Sequence, residues 1–169
     1  DYVPLDSQLR AGDPLAFLES VSQPSLFAFP AQSNFSGVQH PLDWIQHAQR
    51  RGYSVLLDAA AYVPTNPLSL AETPADFVAI SFYKMFGYPT GVGALIAGRD
   101  MLSRLRRTYF GGGTVRFVSV QNRITRRKVG AETFEDGTAN FLAMPAVTDG
   151  LHWLDTLGMH HVRRHVKDL

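Results

Sequence analysis

The sequence contains no cysteine, which excludes disulfides, thiolate metal sites and a cysteine nucleophile within this chain. It has almost no excess of charge: 16 lysines and arginines against 15 acidic residues give a formal net charge of +1. That balance gives no reason to expect nucleic acid or an anionic membrane as partner. No apolar run approaches the roughly 20 residues needed to span a bilayer. The opening DYVPLDSQLR has neither the basic start nor the apolar stretch of a secretory signal, and a cytoplasmic location is expected. Internal repeats and low-complexity segments are lacking as well. What is present is a 169-residue chain that is 45% hydrophobic, enough for one domain with a real core. Its last segment, MHHVRRHVKDL, stops inside a helical pattern, so a fragment of a larger domain is expected.

Apolar periodicity and turn residues divide the chain. SLFAFPAQSNFSG reads as a buried strand, Leu26 to Phe29, running into a polar loop. PLDWIQHAQRRG has a proline start, apolar Leu42, Trp44, Ile45 and Ala48, and a stop at Gly52, which predicts a helix. YSVLLDAAAYVP predicts a strand whose apolar run ends at Asp58, and ADFVAISFYK another that ends in polar chemistry. GVGALIAG reads as the hairpin partner of the latter; RDMLSRLRRT and MPAVTDGLHWLDTLGMHHVRRHV read as helices. This order implies an α/β sheet covered by helices. Trp44 and Trp153 fall on apolar helix faces and are expected in the core.

In sheets of this class ligands gather just beyond the carboxyl ends of the strands. Asp58 and Lys84 both lie at such ends. Two readings of the pair stay open on spacing alone. One is an ordinary ion pair between loops. The other is a pyridoxal phosphate site, in which lysine condenses with the cofactor aldehyde and a carboxylate keeps the pyridine nitrogen protonated. A lysine amine released from the cofactor can also move protons as a general base. Hydroxyls and turn amides from Ser81 onward could hold the phosphate.

LLDAAAYVPTNPLSL, ADFVAISFYKMFGYPTGVGALI, YFGGGTV and FEDGTANFLA follow one another in order. Together they resemble the class V aminotransferase group, which contains the cysteine desulfurases. Within that group, SFYK-x-FGYPTG-x-GAL is similar to the N-terminal domain of the molybdenum cofactor sulfurase family in particular, because desulfurases usually carry a histidine where this chain has Tyr83. The resemblance runs from about Ser25 to the C-terminus. It implies part of a fold type I pyridoxal phosphate-dependent transferase large domain, with a mixed, mostly parallel sheet. Residues 1–169 would then be the central part of a cofactor-binding domain whose upstream and downstream parts are missing.

Position by position, the resemblance makes Lys84 the Schiff-base lysine and Asp58 the partner of the pyridine nitrogen. Ala60 would lie against one face of the ring, Ser81 would bind the phosphate, and Tyr83 would take the place of the usual histidine. Asn34 would sit near the ring hydroxyl. Thr138 would reach the phosphate of a neighbouring subunit in a homodimer, and Gly111 to Gly113 would line the shared entrance. Some features depart from the pattern. Desulfurases often have glutamine at the position of Ala61. The aromatic that stacks on the ring would come from upstream of residue 1, and the sulfur-accepting cysteine and the arginine for the substrate carboxylate would come from downstream.

The implied activity takes sulfur from L-cysteine, passes it to the molybdenum cofactor of molybdenum hydroxylases and releases alanine. A cysteine desulfurase or lyase with another acceptor is the alternative within enzymes. A truncated relative that binds a partner without chemistry is the alternative outside them. Other candidates are assigned bland roles. His160, His161 and His165 with Arg163 and Arg164 fall near a helical C-terminus, where cations are favoured, and are not taken as metal ligands. GGGT lacks the GK[ST] ending of a P-loop and reads as a turn or entrance loop. Arg104, Arg106, Arg107 and the RITRRK run read as a solvated face.

Overall fold

The computed structural model describes residues 2–169, apart from the Leu15 side chain; Asp1 lies outside them. Four strands form the main sheet in the order β1 (Ser25–Pro30), β2 (Tyr53–Asp58), β3 (Phe77–Ser81) and β4 (Gly93–Ala97). The first three run parallel and β4 closes the edge antiparallel to β3. Helix α1 (Trp44–Arg50) carries the crossover from β1 to β2. The α/β sheet and the β3–β4 pairing are thus the ones expected from the periodicity, and the mostly parallel order is the one that the family resemblance implies.

The core lies between this sheet and α1. Phe27, Phe29, Val55 and Leu57 alternate along β1 and β2 and meet Trp44, Ile45 and Ala48 from the helix. Phe29 and Trp44 pack with ring centroids 5.5 Å apart. Ile45, Val55, Leu57 and Val78 are buried almost completely, each favouring the fold by about 1.5–3 kcal/mol relative to exposure. The strands alternate where a continuously buried β1 was expected: Leu26 is 56% exposed, since neighbouring side chains point to opposite faces of a pleated strand.

Register fixes the end of the sheet that matters. Pro30 pairs with Asp58, and Asp58 with Ala79, so three parallel strands end nearly level. Backbone bonds extend that edge, from Ala31 N–H to Asp58 C=O at 2.8 Å and from Ala59 N–H to Ala79 C=O at 2.9 Å. Beyond β3 comes the single turn α2 (Tyr83–Phe86), ended by Gly87 and a cis Tyr88–Pro89 bond.

The second half departs further from expectation. Helix α3 spans Arg99–Arg104, shorter than the segment that suggested it. A hairpin of β5 (Val115–Ser119) and β6 (Ile124–Arg127) occupies the basic stretch. The final helical pattern divides into α4 (Pro145–Leu157) and α5 (Met159–Asp168) at Gly158, whose φ of 76° no helix accommodates. Trp153, expected in the core, is 54% exposed, and α4 buries Leu154 instead. Among the described residues no helix is long and apolar enough to cross a membrane.

Candidate active site

Lys84 is the second residue of α2, one turn beyond the end of β3, and is partly buried. Its Nζ donates a hydrogen bond of 2.7 Å to Oδ1 of Asn34. Asn34 stands at the tip of a tight loop after β1, closed by the Gln32–Gln39 bridge and a 3.0 Å bond from Gly37 N–H to Ser33 C=O. Two residues fifty positions apart therefore meet above the carboxyl edge of the sheet.

Asp58, the last residue of β2, is exposed there, and its Oδ1 accepts the Ala60 N–H at 3.0 Å. That bond locks the turn after the strand, and the second carboxylate oxygen is left without a hydrogen-bond partner among the described residues. Neither Asp58 nor Lys84 belongs to an ion pair among the described residues. Ser81 ends β3 on the neighbouring strand, and Tyr83, 46% exposed, opens α2. Asn34, Asp58, Ala60, Ser81, Tyr83 and Lys84 thus share one edge of the fold.

Thr138 lies in the irregular segment before α4. It is exposed, and no hydrogen bond joins it to the strand-end group among the described residues. The loop before it is braced on the glycine-rich turn, with Gly137 N–H donating to Gly112 C=O at 2.7 Å. Within that turn, the buried Thr114 hydroxyl donates to Gly111 C=O at 2.8 Å.

Arg107 supports the same loop and corrects the expectation of a wholly solvated basic face. Its guanidinium meets Asp136 at 2.5 Å and Thr133 C=O at 2.6 Å, and lies 4.4 Å from the centre of the Tyr109 ring. The hydrogen bond to Asp136 raises its pKa further above the ordinary arginine value, against the opposing effect of burial. Arg127 also turns inward, donating to Arg107 C=O at 2.8 Å, whereas Arg104, Arg106 and Arg126 stay exposed. A basic run carries no signal that tells these roles apart; the acid two residues before Thr138 was the available clue. On α5, the His161 ring bonds Leu157 C=O through Nδ1 at 3.0 Å, and no group of three potential ligands for a metal ion occurs among the described residues.

The donor set at the strand ends contains an amine, a carboxylate with a free oxygen, a hydroxyl, an amide and a small side chain. Residues 9–169 match the sequence profile of the aminotransferase class-V family. The chain belongs to that family. As a class-V aminotransferase family member it is 47% identical over 167 residues to a molybdenum cofactor sulfurase of Bos taurus, an alignment that takes in 92% of this chain and 18% of that protein. It is 39% identical over 160 residues to the molybdenum cofactor sulfurase of Arabidopsis thaliana, across 86% of this chain and 20% of the relative. The chain therefore spans about a fifth of the length of these relatives. Among solved structures, the apo cysteine desulfurase of Thermococcus onnurineus superposes with a TM-score of 0.84 at 24% identity, covering 97% of this chain and 40% of that one. The cysteine desulfurase CsdA of Escherichia coli gives 0.81 at 26% identity, with 94% and 39% covered.

Proposed function

We propose that this chain is the lysine-bearing part of a pyridoxal phosphate-dependent sulfurtransferase, which moves sulfur from L-cysteine to the molybdenum cofactor of molybdenum hydroxylases and releases alanine. The observation that carries the reading is the Lys84 amine, held by a neutral amide oxygen at the carboxyl edge of the sheet. Identity of 39–47% to molybdenum cofactor sulfurases supports the choice of acceptor.

The residues present fit the cofactor. Lys84 offers a primary amine whose proton can leave without breaking an ion pair, because its partner is uncharged. Asp58 keeps one carboxylate oxygen available to accept a hydrogen bond from a ring nitrogen. Ser81 brings a hydroxyl for the phosphate, and Ala60 leaves room for a flat ring beside the turn. When bound, pyridoxal phosphate supplies an aldehyde for the amine and an electron-withdrawing ring. Lys84 then serves as the proton carrier between substrate and solvent. In the overall reaction the C–S bond of L-cysteine breaks, a thiol takes the sulfur as a persulfide, and the carbon skeleton leaves as alanine. That thiol is not a side chain of this chain, which has no cysteine.

The test exploits a small number of amines: Lys84, Lys128 and Lys167 are the only lysines. Incubation with pyridoxal phosphate followed by borohydride and digestion is expected to label the Lys84 peptide selectively. Lys84→Arg should keep the charge and lose the label, because a guanidinium is not a usable nucleophile here. Equal labelling of all three lysines would count against an enzyme and favour a relative that binds without chemistry.

A further inference from the structure

Helix α4 carries a glycine at its sixth position, Gly150, where glycine weakens a helix relative to alanine. Its backbone does not use the freedom that usually explains glycine, since Gly150 is absent from the positive-φ set. The explanation lies across the helix. A Cβ built on Gly150 would fall 2.4 Å from Cδ2, 2.5 Å from Cε2 and 2.6 Å from Cγ of Phe86, a closer approach than at any other described glycine.

Phe86 ends α2, the turn that holds Lys84. The ring cannot easily swing away: Cγ itself is among the overlapping atoms, and Phe82 stacks nearby with centroids 6.1 Å apart. A helix of four residues has no stability of its own, so its position is set by what packs on it. Non-bonded carbons settle at about 3.5–4.0 Å, so a methyl at position 150 would push the two helices apart by about 1 Å.

We propose that Gly150 is a positioning residue for Lys84: its bare backbone lets α4 seat the Phe86 ring and so fixes the turn from which the amine reaches Asn34. This rests on the reading of Lys84 as the cofactor-binding lysine. Gly150 acts on Lys84 only through Phe86.

The test is the rate of labelling by pyridoxal phosphate and borohydride, followed separately at Lys84, Lys128 and Lys167. Gly150→Ala is expected to slow labelling at Lys84 by about tenfold or more, as a misplacement of about 1 Å does to a reacting group. Lys128 and Lys167 should react at unchanged rates. Gly150→Ala combined with Phe86→Ala is expected to label Lys84 faster than Gly150→Ala alone, because the ring in the way of the methyl is gone. A wild-type rate in Gly150→Ala, or a still slower double variant, would overturn the proposal. If Gly150→Ala does not fold, a double variant that folds and labels Lys84 supports the contact, and one that also fails to fold overturns it. Absence of preference for Lys84 in the wild type has a different meaning, because it removes the reading of Lys84 itself.

Discussion

At the scale of single residues, the informative contact is the one between Lys84 and Asn34. An ordinary loop ion pair would have tied the lysine to a carboxylate, and the nearest strand-end candidate was Asp58. The amine instead sits on a neutral oxygen at 2.7 Å. A carbonyl oxygen orients the amine through one hydrogen bond, whereas an anion at the same place would add opposite charge and favour the ammonium further. Asn34→Asp exchanges one for the other with little change in shape. It is expected to slow labelling of Lys84 at neutral pH and to recover the lost rate as pH rises, because only the deprotonated amine attacks an aldehyde. A rate profile of Lys84 labelling between pH 7 and about pH 10, near the ordinary lysine range, checks this. A profile identical to that of the wild type would mean that Asn34 does not govern the amine.

At the scale of elements, legibility in the sequence followed periodicity. The β1–α1–β2 unit could be read because two short apolar runs end in polar residues and Gly52 stops the helix between them, although the alternation within β1 could not. Asp58 and Lys84 could be read as a site because each follows the apolar run of a strand, although only Asp58 closes one and Lys84 stands on α2, one turn beyond β3. Asn34 could not be reached that way: its role came only from family resemblance, since a loop tip has no period. The β5–β6 hairpin went unseen because VRFVSVQNRITRRK lacks a clean buried face, with Arg116, Phe117, Ile124 and Arg126 all exposed. The Gly150–Phe86 approach joins distant segments and leaves no mark in either. The break between α4 and α5 was hidden by strong helix formers on both sides of Gly158. There the backbone adopts φ 76° and ψ 114°, a conformation that a residue with a Cβ reaches only under strain. Gly158→Ala is expected to cost about 1–3 kcal/mol, or to fuse the two helices and displace α5. Urea unfolding measures the first outcome, and a rise in helical circular dichroism would reveal the second.

At the scale of the whole molecule, exposed apolar side chains are spread along the chain, and three of them stand on or beside the segments that carry Thr138. Phe141 is 64% exposed, Leu142 84% and Tyr109 63%, an arrangement suited to a surface that is covered in an assembly. The family resemblance sends Thr138 across a two-fold axis to the phosphate held by the other copy, and we propose that each site is completed in this way. Within one chain, the loop before Thr138 is held by Arg107, Asp136 and the Gly112 carbonyl, and no hydrogen bond among the described residues joins Thr138 to Lys84 or Asp58. A mixed dimer tests the arrangement in the full-length protein. One protomer carries Lys84→Ala and the other Thr138→Val, with different tags so that only the mixed species is recovered. If the site is shared, the Lys84→Ala protomer lends its intact Thr138 to the site that still has its lysine. One site then carries both lesions and the other neither. The mixed dimer should recover about half of the wild-type desulfurase rate, since distant lesions act independently. If Thr138 serves its own subunit, one site lacks the lysine and the other lacks the threonine, so activity remains no higher than half that of the Thr138→Val homodimer. That result, or full cofactor affinity in a monomer, would take the second copy out of the site.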